Sequence, residues 1–517
     1  MVVRRIWPVE PRGQDQGRNP MTHDHEKSDG PVVPANRWNK APQGVTDGGE
    51  ERGPAKGNPN WQNTHRTQSR GSVPSALDRV RQVAQRDKEA QFTALLHHIT
   101  VDRLRAAYEG LNPRAAAGVD EVTWSWYGQE LERNICDLHS RLHRGAYRAK
   151  PSRRVYIPKA DGRQRPLGIA ALEDKVVQAA VVGVMNAIYE TDFLGFSYGF
   201  RPRRSAHDAL DALATGLRRK KVNWVLDADI RGFFDAISRR WMLEFLKHRI
   251  GDPRMLRLIQ KWLTAGVLEN GKWVRSKKGT PQGATISPLL GNIYLHYAFD
   301  QWAHQWRQRR ARGDVVIVRY ADDFAVGFQY RKDAEQFLAD LRERLRKFEL
   351  ELHSDKTRLI EFGRYAARDR KRRGLGKPET FKFLGFVHIC AKTREGWFLL
   401  KRQTDGKRMR AKLKQLKDVL LRMRHVSIPE QGAWLQRVVR GYFNYHAVPT
   451  NIVALDRFRT EIARHWWRAL RRRSQKSRLN WRRMARLVNR WLPHPRNLHP
   501  LPEHRFDART RGRSPVR

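Results

Sequence analysis

The fold turns on residues 314–328, Asp314-Val315-Val316-Ile317-Val318-Arg319-Tyr320-Ala321-Asp322-Asp323-Phe324-Ala325-Val326-Gly327-Phe328. Val315 to Tyr320 and Phe324 to Phe328 have the length and the β-branched and aromatic content of two strands. The acidic break between them reads as the tip of a hairpin. Asp322-Asp323 is the only Asp-Asp pair in the chain. Adjacent carboxylates flanked by apolar strands repel unless a positive charge sits on them. Taken alone, the pair is also explained by a solvated acidic turn, because Asp favours turns.

Upstream, Trp224-Val225-Leu226-Asp227-Ala228-Asp229-Ile230 reads as another strand. Asp227 and Asp229 lie two apart and so share one face. Helices are expected at about 239–265 and 287–308, with Ser287 as N-cap and Pro288 in the first turn. An amphipathic helix follows at about 332–349, then strands over His353 to Phe362 and Thr380 to Ile389. Strand, two helices and a hairpin form part of a split βαβ, ferredoxin-like plan. If the 224–230 strand lies beside the hairpin, one of its carboxylates meets Asp322. Hard oxygen ligands suit Mg²⁺, and a two-metal centre can activate a 3′-hydroxyl and stabilise leaving pyrophosphate.

Composition says what such a centre would act on. The 517 residues carry 102 Lys and Arg against 53 Asp and Glu, a formal net charge of +49. That excess argues against an ordinary small-molecule enzyme and for a nucleic-acid partner, since neutralised phosphates release counterions. No apolar run reaches the length of a membrane span, and no signal or lipidation pattern is present. Two cysteines, Cys136 and Cys390, exclude a disulfide scaffold and a Cys-rich zinc module.

Residues 1–75 read as a disordered N-terminal extension. The first leucine is Leu77, and the apolar surface before it is too small to offset ordering entropy. Met21 is an alternative start. Residues 76–150 show helical periods. Residues 153–158 read as a strand, with a turn at Asp161-Gly162 and a helix at 171–190. Lys159 and Arg165 flank that turn, where their heads could converge on a triphosphate, although a solvated basic hairpin also fits. Gly279-Thr280-Pro281-Gln282-Gly283 is a tight loop whose backbone can approach a ligand closely. His207 has no second His or Cys at ligand spacing and reads as structural or phosphate-contacting. Residues 401–517 hold 31 Lys and Arg against 7 Asp and Glu, close to half the net charge. Met409, Leu413, Leu416, Leu420 and Met423 mark an apolar helical face there, opposite a basic one.

Several of these blocks resemble the reverse transcriptases of group II introns. Tyr320-Ala321-Asp322-Asp323 is similar to their Tyr-x-Asp-Asp box, and Asp229-Ile230-Arg231-Gly232-Phe233-Phe234-Asp235 to their first catalytic motif. The resemblance picks Asp229 over Asp227, and it implies that Asp229, Asp322 and Asp323 are catalytic and hold two Mg²⁺ ions. It makes Phe234 a steric gate against the ribose 2′-hydroxyl. Ile157-Pro158-Lys159 with Arg165-Pro166-Leu167-Gly168-Ile169 matches the fingers motif, so Lys159 and Arg165 would grip the nucleotide phosphates. Gly279–Gly283 followed by Ser287–Tyr294 matches a further motif. There Gln282 would border the incoming nucleotide, and the loop, with Gly283, the template. Tyr198-Gly199-Phe200-Arg201-Pro202 would touch the template backbone through Arg201. Leu352–Thr357 offers Lys356 to the nucleotide, as a proton donor to pyrophosphate or a screen for phosphate charge. Phe383-Leu384-Gly385-Phe386 resembles a strand that supports the primer. Arg440-Gly441-Tyr442-Phe443-Asn444-Tyr445 resembles the X, or maturase, domain, which implies RNA contacts at Arg440 and Tyr442. The run Arg471-Arg472-Arg473 would also face nucleic acid.

The fold expected is therefore α/β, a right-hand polymerase with a ferredoxin-like palm sheet, followed by an α-helical thumb/maturase domain. Its boundaries are 76–225 for fingers with a helical extension, 226–395 for palm, 396–475 for thumb and 476–517 for a basic DNA-binding segment. The implied partners are group II intron RNA, target DNA with a DNA primer, and dNTPs, with no membrane. The implied location is the bacterial cytoplasm, with nucleoid or ribonucleoprotein. With no Cys beyond Cys390, the His/Cys-rich endonuclease domain of many relatives is expected to be absent, so that priming would use another strand, such as one at a replication fork. A domesticated reverse transcriptase in phage defence or DNA repair, and a catalytically silent RNA-binding splicing cofactor, are the competing readings.

Overall fold

The computed structural model describes residues 76–158, 164–274, 278–474, 477 and 479–510. The expectations for residues 1–75, for the Asp161-Gly162 turn and for Lys159 lie outside these. Eleven strands are found among the described residues: β1 (Ser152–Pro158), β2 (Gln164–Ile169), β3 (Trp224–Asp229), β4 (Val267–Glu269), β5 (Lys272–Val274), β6 (Val315–Tyr320), β7 (Asp323–Phe328), β8 (Arg358–Glu361), β9 (Phe381–Phe383), β10 (Phe386–Lys392) and β11 (Phe398–Thr404). They form three sheets, ordered β2-β1-β4-β5, β6-β7-β3-β8 and β11-β10-β9.

The central sheet β6-β7-β3-β8 is antiparallel throughout, in the order of the split βαβ plan expected from the sequence. Its two faces follow the period of two in each strand. Leu226, Ala228, Ile317, Phe324, Val326 and Phe328 enter one core, under the helices Ser287–Leu295 and Arg331–Lys347. Val225, Val316, Val318, Ala325 and Ile360 enter a second core on the other face. The helix Ala206–Arg219 packs there so closely that a Cβ on Gly216 would lie 2.6 Å from Val316 Cγ1. The same alternation puts Asp227, Asp229 and Asp323 on this second face.

A third core holds the helices Gly406–Arg422, Ile428–His446, Ile452–Arg471 and Trp481–Trp491 together through Leu416, Leu435, Phe458, Trp466 and Met484. The indole of the fully buried Trp466 donates to Gln431 Oε1 at 2.8 Å, which satisfies both groups away from water. No helix among the described residues is long and apolar enough to cross a membrane.

Four local expectations are corrected. The 239–265 helix is two, Arg239–Lys247 and Pro253–Thr264, because Gly251, Asp252 and Pro253 stop one and cap the next. Ser287 does not cap its helix: it is the first helical residue, and its hydroxyl bonds the Pro281 carbonyl (2.9 Å) and Thr280 Oγ1 (2.7 Å). The strand over Thr380 to Ile389 is a hairpin, β9 to β10, turned by Leu384 and Gly385 at positive φ. The strand over His353 to Phe362 is shorter, β8 alone, with a loop at 353–357 before it. The basic segment beyond 476 contains two packed helices, Trp481–Trp491 and Pro502–Thr510, and the second lies against Ala206–Arg219.

Candidate active site

The register of β3 and β7 builds the site. Asp229 ends β3 directly opposite Asp323, which begins β7. Asp322 occupies the two-residue turn between β6 and β7, beside Ala321 at φ +57°. Asp229 and the Asp322-Asp323 pair, nearly a hundred residues apart in the chain, are thus brought to the same end of the two central strands. Asp227 lies one pair deeper, opposite Arg358, whose guanidinium is 3.6 Å from its carboxylate.

The electrostatics follow from this crowding. Burial, reinforced by the negative charges of Asp229 and Asp323, pushes the Asp322 carboxyl up to about 7, while Arg165 on β2 opposes the shift. Asp229 is compensated from the other side. Lys356 Nζ donates to its Oδ2 at 2.9 Å, with both side chains 6% exposed. The Asp229 carbonyl accepts from His353 N at 2.8 Å, so the loop carrying Lys356 is stitched to the end of β3. Burial pushes the phenol of Tyr445, on the helix Ile428–His446, upward, and the Asp323 charge adds to that shift.

No three His, Cys, Asp or Glu side chains among the described residues converge into a ready-made metal cage. Asp229 and Asp322 nevertheless fit a divalent ion as a pair. They are hard oxygen donors at the same end of the sheet, and the Asp322 carboxyl is raised first by burial and then by the Asp229 charge, both of which a bound cation would offset.

The turn is held from beneath by residues that sequence reasoning missed. Arg319 is fully buried. It pairs with Asp300 (Nη2 to Oδ2 2.5 Å) and donates to Asn292 Oδ1 (3.0 Å), Ser197 Oγ (2.7 Å) and the Ala321 carbonyl (2.8 Å). Asp300 reaches it from a π turn, His296–Asp300, that widens the helix there. Gly199 lies against the same turn, where a Cβ would collide with the Ala321 amide. The signal available for Arg319 was a charge inside an otherwise apolar strand, which demands a buried partner.

The residues expected to border a nucleotide on β2 and in the 279–283 loop form one connected wall. Gly168 N of β2 donates to the Gln282 carbonyl at 2.6 Å, and Gln282 Nε2 donates to Asp235 Oδ2 at 2.9 Å. Gly283 sits at φ +109°, and a Cβ there would be 2.9 Å from the Gly168 carbonyl, so a bare backbone is needed. Phe234 is buried edge-on to Phe233 and against Gly291, and its carbonyl accepts from Thr280 N at 2.9 Å.

Among the residues expected to touch nucleic acid, Arg201 is a correction. It is 6% exposed, and its guanidinium is spent on Glu190 (3.0 Å) and on the carbonyls of Leu194 and Ser197 (both 2.8 Å). It braces the loop rather than facing a template. Arg440, Arg471 and Arg472 are exposed. Tyr442 is stacked on Phe458 at 3.6 Å, and Arg473 donates to the Val426 carbonyl, so these two serve packing. His207 is structural: its ring stacks on His499 at 3.9 Å, and burial pushes it down to about 2.

Residues 157–388 match the family model described as reverse transcriptase (RNA-dependent DNA polymerase). The chain is 34% identical to Protein YkfC of Escherichia coli K12 over 276 residues, covering 47% of this chain and 71% of that protein. It is 36% identical to the group II intron-encoded protein LtrA of Lactococcus lactis over 222 residues, 43% of this chain and 37% of LtrA. An uncharacterized 91 kDa protein in the cob intron of Schizosaccharomyces pombe is 43% identical over 146 residues, 28% of this chain and 18% of its own length.

Proposed function

The chain belongs to the reverse transcriptase family, among the proteins encoded by group II introns, and from that premise we propose that it copies RNA into DNA at Asp229, Asp322 and Asp323 with two Mg²⁺ ions. The observation that carries this reading is the β3–β7 register, which sets Asp229 opposite Asp323 and beside the Asp322 turn. Mg²⁺, when bound, lowers the cost of the 3′-oxygen attack and of the departing pyrophosphate's charge. The protein's own groups do the positioning. Asp229 and Asp322 hold the metal, with Asp323 completing the negative edge. Arg165, whose charge is already felt at Asp322, and Lys159 draw the triphosphate in. Gln282 borders the nucleotide on the wall that Gly283 joins to β2, and Phe234 walls off the 2′-hydroxyl. Lys356 neutralises Asp229 until the ion arrives, and then faces the phosphates.

In this reading residues 76–225 are fingers, 226–395 palm and 396–475 a helical thumb that grips intron RNA and promotes splicing and intron mobility. Arg440, Arg471 and Arg472 point outward there, and Arg482, Arg483, Arg486 and Arg490 of Trp481–Trp491 extend the exposed basic face toward DNA. The chain works with intron RNA, primer, target DNA and dNTPs in the bacterial cytoplasm, at the nucleoid or in a ribonucleoprotein.

Primer extension on an RNA template with Mg²⁺ tests the catalytic half. Wild type should extend, and Asp322→Asn should not. A wild type that fails to extend while still accelerating splicing of a bound RNA would leave only the splicing half.

A further inference from the structure

Behind the loop that carries Lys356 lies a hollow of about 650 Å³. Lys356 points away from it to Asp229, whereas His353, Ser354, Asp355 and Thr357 of the same loop line the hollow. The far wall is the helix Arg331–Lys347, which contributes Arg342 and Arg346, one turn apart on one face. Both are exposed, and neither has a carboxylate or hydrogen-bond partner among the described residues. The third guanidinium is Arg231, two residues past Asp229. Its amide is fixed by the Glu351 carbonyl at 2.9 Å, while its side chain stays 73% exposed, 3.8 Å from the Glu351 carboxylate.

Guanidinium groups gathered around one hollow repel, and they are best satisfied by phosphate oxygens. The volume suits a small ligand rather than a duplex. Glu351 and Asp355 border the same space, which selects an anion that brings its own divalent cation, as polyphosphates do with Mg²⁺. We propose that this hollow is a second polyphosphate site, taking Mg²⁺-bound inorganic pyrophosphate or the triphosphate tail of a nucleotide, across the His353–Thr357 loop from Asp229. The source of the ligand rests on the polymerase reading above; the binding itself does not.

The test is titration calorimetry of the full chain with inorganic pyrophosphate and Mg²⁺, without nucleic acid. Arg342→Gln/Arg346→Gln should weaken one class of binding by about tenfold or more. Arg342→Lys/Arg346→Lys should recover much of it, and Arg422→Gln on a distant helix should change nothing. Identical isotherms for wild type and the double Gln variant overturn the site. So does a fall in template–primer affinity with pyrophosphate binding intact. Primer extension then separates the sources. A raised pyrophosphate inhibition constant at constant dNTP KM supports the leaving group, and a raised dNTP KM alone supports the incoming tail. Failure of the polymerase reading would show as no extension by wild type, with the calorimetric result still standing.

Discussion

Lys356 Nζ and Asp229 Oδ2 are 2.9 Å apart in a pair almost wholly shielded from water. Breaking such a pair from one side strands the other charge, at a cost of about 3–5 kcal/mol. A divalent ion at Asp229 must compete with the ammonium. Lys356→Met should therefore melt lower than wild type in chelator, and should gain more in Tm from added Mg²⁺. Thermal unfolding with and without Mg²⁺ measures both, and equal gains in the two proteins would show that the ammonium and the metal do not share Asp229.

Asp322 gives a pH signature. Its carboxyl is raised to about 7 by burial and by Asp229 and Asp323. A raised folded-state value means that ionisation is costlier in the folded chain. The penalty is absent below the ordinary aspartate value near 4, grows as pH rises, and is complete above about 7. In metal-free buffer Asp322→Asn should be more stable than wild type at pH 8, by up to about 4 kcal/mol, with the advantage shrinking toward pH 5. Saturating Mg²⁺ should shrink it at pH 8 as well. Denaturation midpoints of the two proteins across that range are the measurement, and a gap that does not change with pH would contradict the crowding.

What the sequence disclosed was what depends on short-range pattern. The 315–328 hairpin and the 224–229 strand follow from β-branched runs and a polar tip; adjoining strands left Asp227 and Asp229 both open as partners of Asp322, and the motif resemblance picked Asp229. Asp300, Asn292 and Gly199 carry no local mark, because their roles depend on a buried arginine that reaches across elements. For Arg201 the motif resemblance implied a template contact, and nothing in the local sequence marked Glu190 as the carboxylate that takes up its guanidinium. Beyond 476 the basic composition gave no sign that Glu503 and Asp507 would pair with Arg218 and Arg219 of Ala206–Arg219, because that match lies nearly three hundred residues away.

Gly199 leaves no room for a side chain against the Ala321 amide. Backbone cannot give way as a flexible side chain can, so Gly199→Ala must displace the turn that carries Asp322. Geometry displaced by about 1 Å costs on the order of a hundredfold in rate. Polymerase turnover should fall by that order while RNA affinity, carried elsewhere, is kept. Single-turnover extension against filter binding separates the two, and unimpaired turnover would mean that the turn tolerates the shift.

Asp300 and Arg319 are both fully buried, and their pair underlies the Ala321 carbonyl. Asp300→Ala leaves a guanidinium with no charge partner and should destabilise the chain by about 3–5 kcal/mol. The double variant Asp300→Ala/Arg319→Met removes both charges and should be the milder lesion. Chemical denaturation of the single and double variants checks this, and a double variant worse than the single would mean that Arg319's bonds to Ser197, Asn292 and Ala321 outweigh its charge.

The helix Pro502–Thr510 is tied to Ala206–Arg219 by Arg219–Asp507 (2.7 Å), Arg218–Glu503 (3.4 Å) and Arg509–Asp208 (3.6 Å), with Phe506 buried between them. Exposed ion pairs contribute little, about 0–1 kcal/mol each, whereas emptying a buried phenyl site costs about 3–5 kcal/mol. Phe506 is therefore the anchor, and the charges set register. Phe506→Ala should release residues 502–510 to solvent exchange while the β6–β7 hairpin stays protected. Arg219→Ala should leave the helix docked. Amide hydrogen exchange resolves the two regions. If Arg219→Ala frees the helix as fully as Phe506→Ala does, the ion pairs and not the ring hold the segment in place.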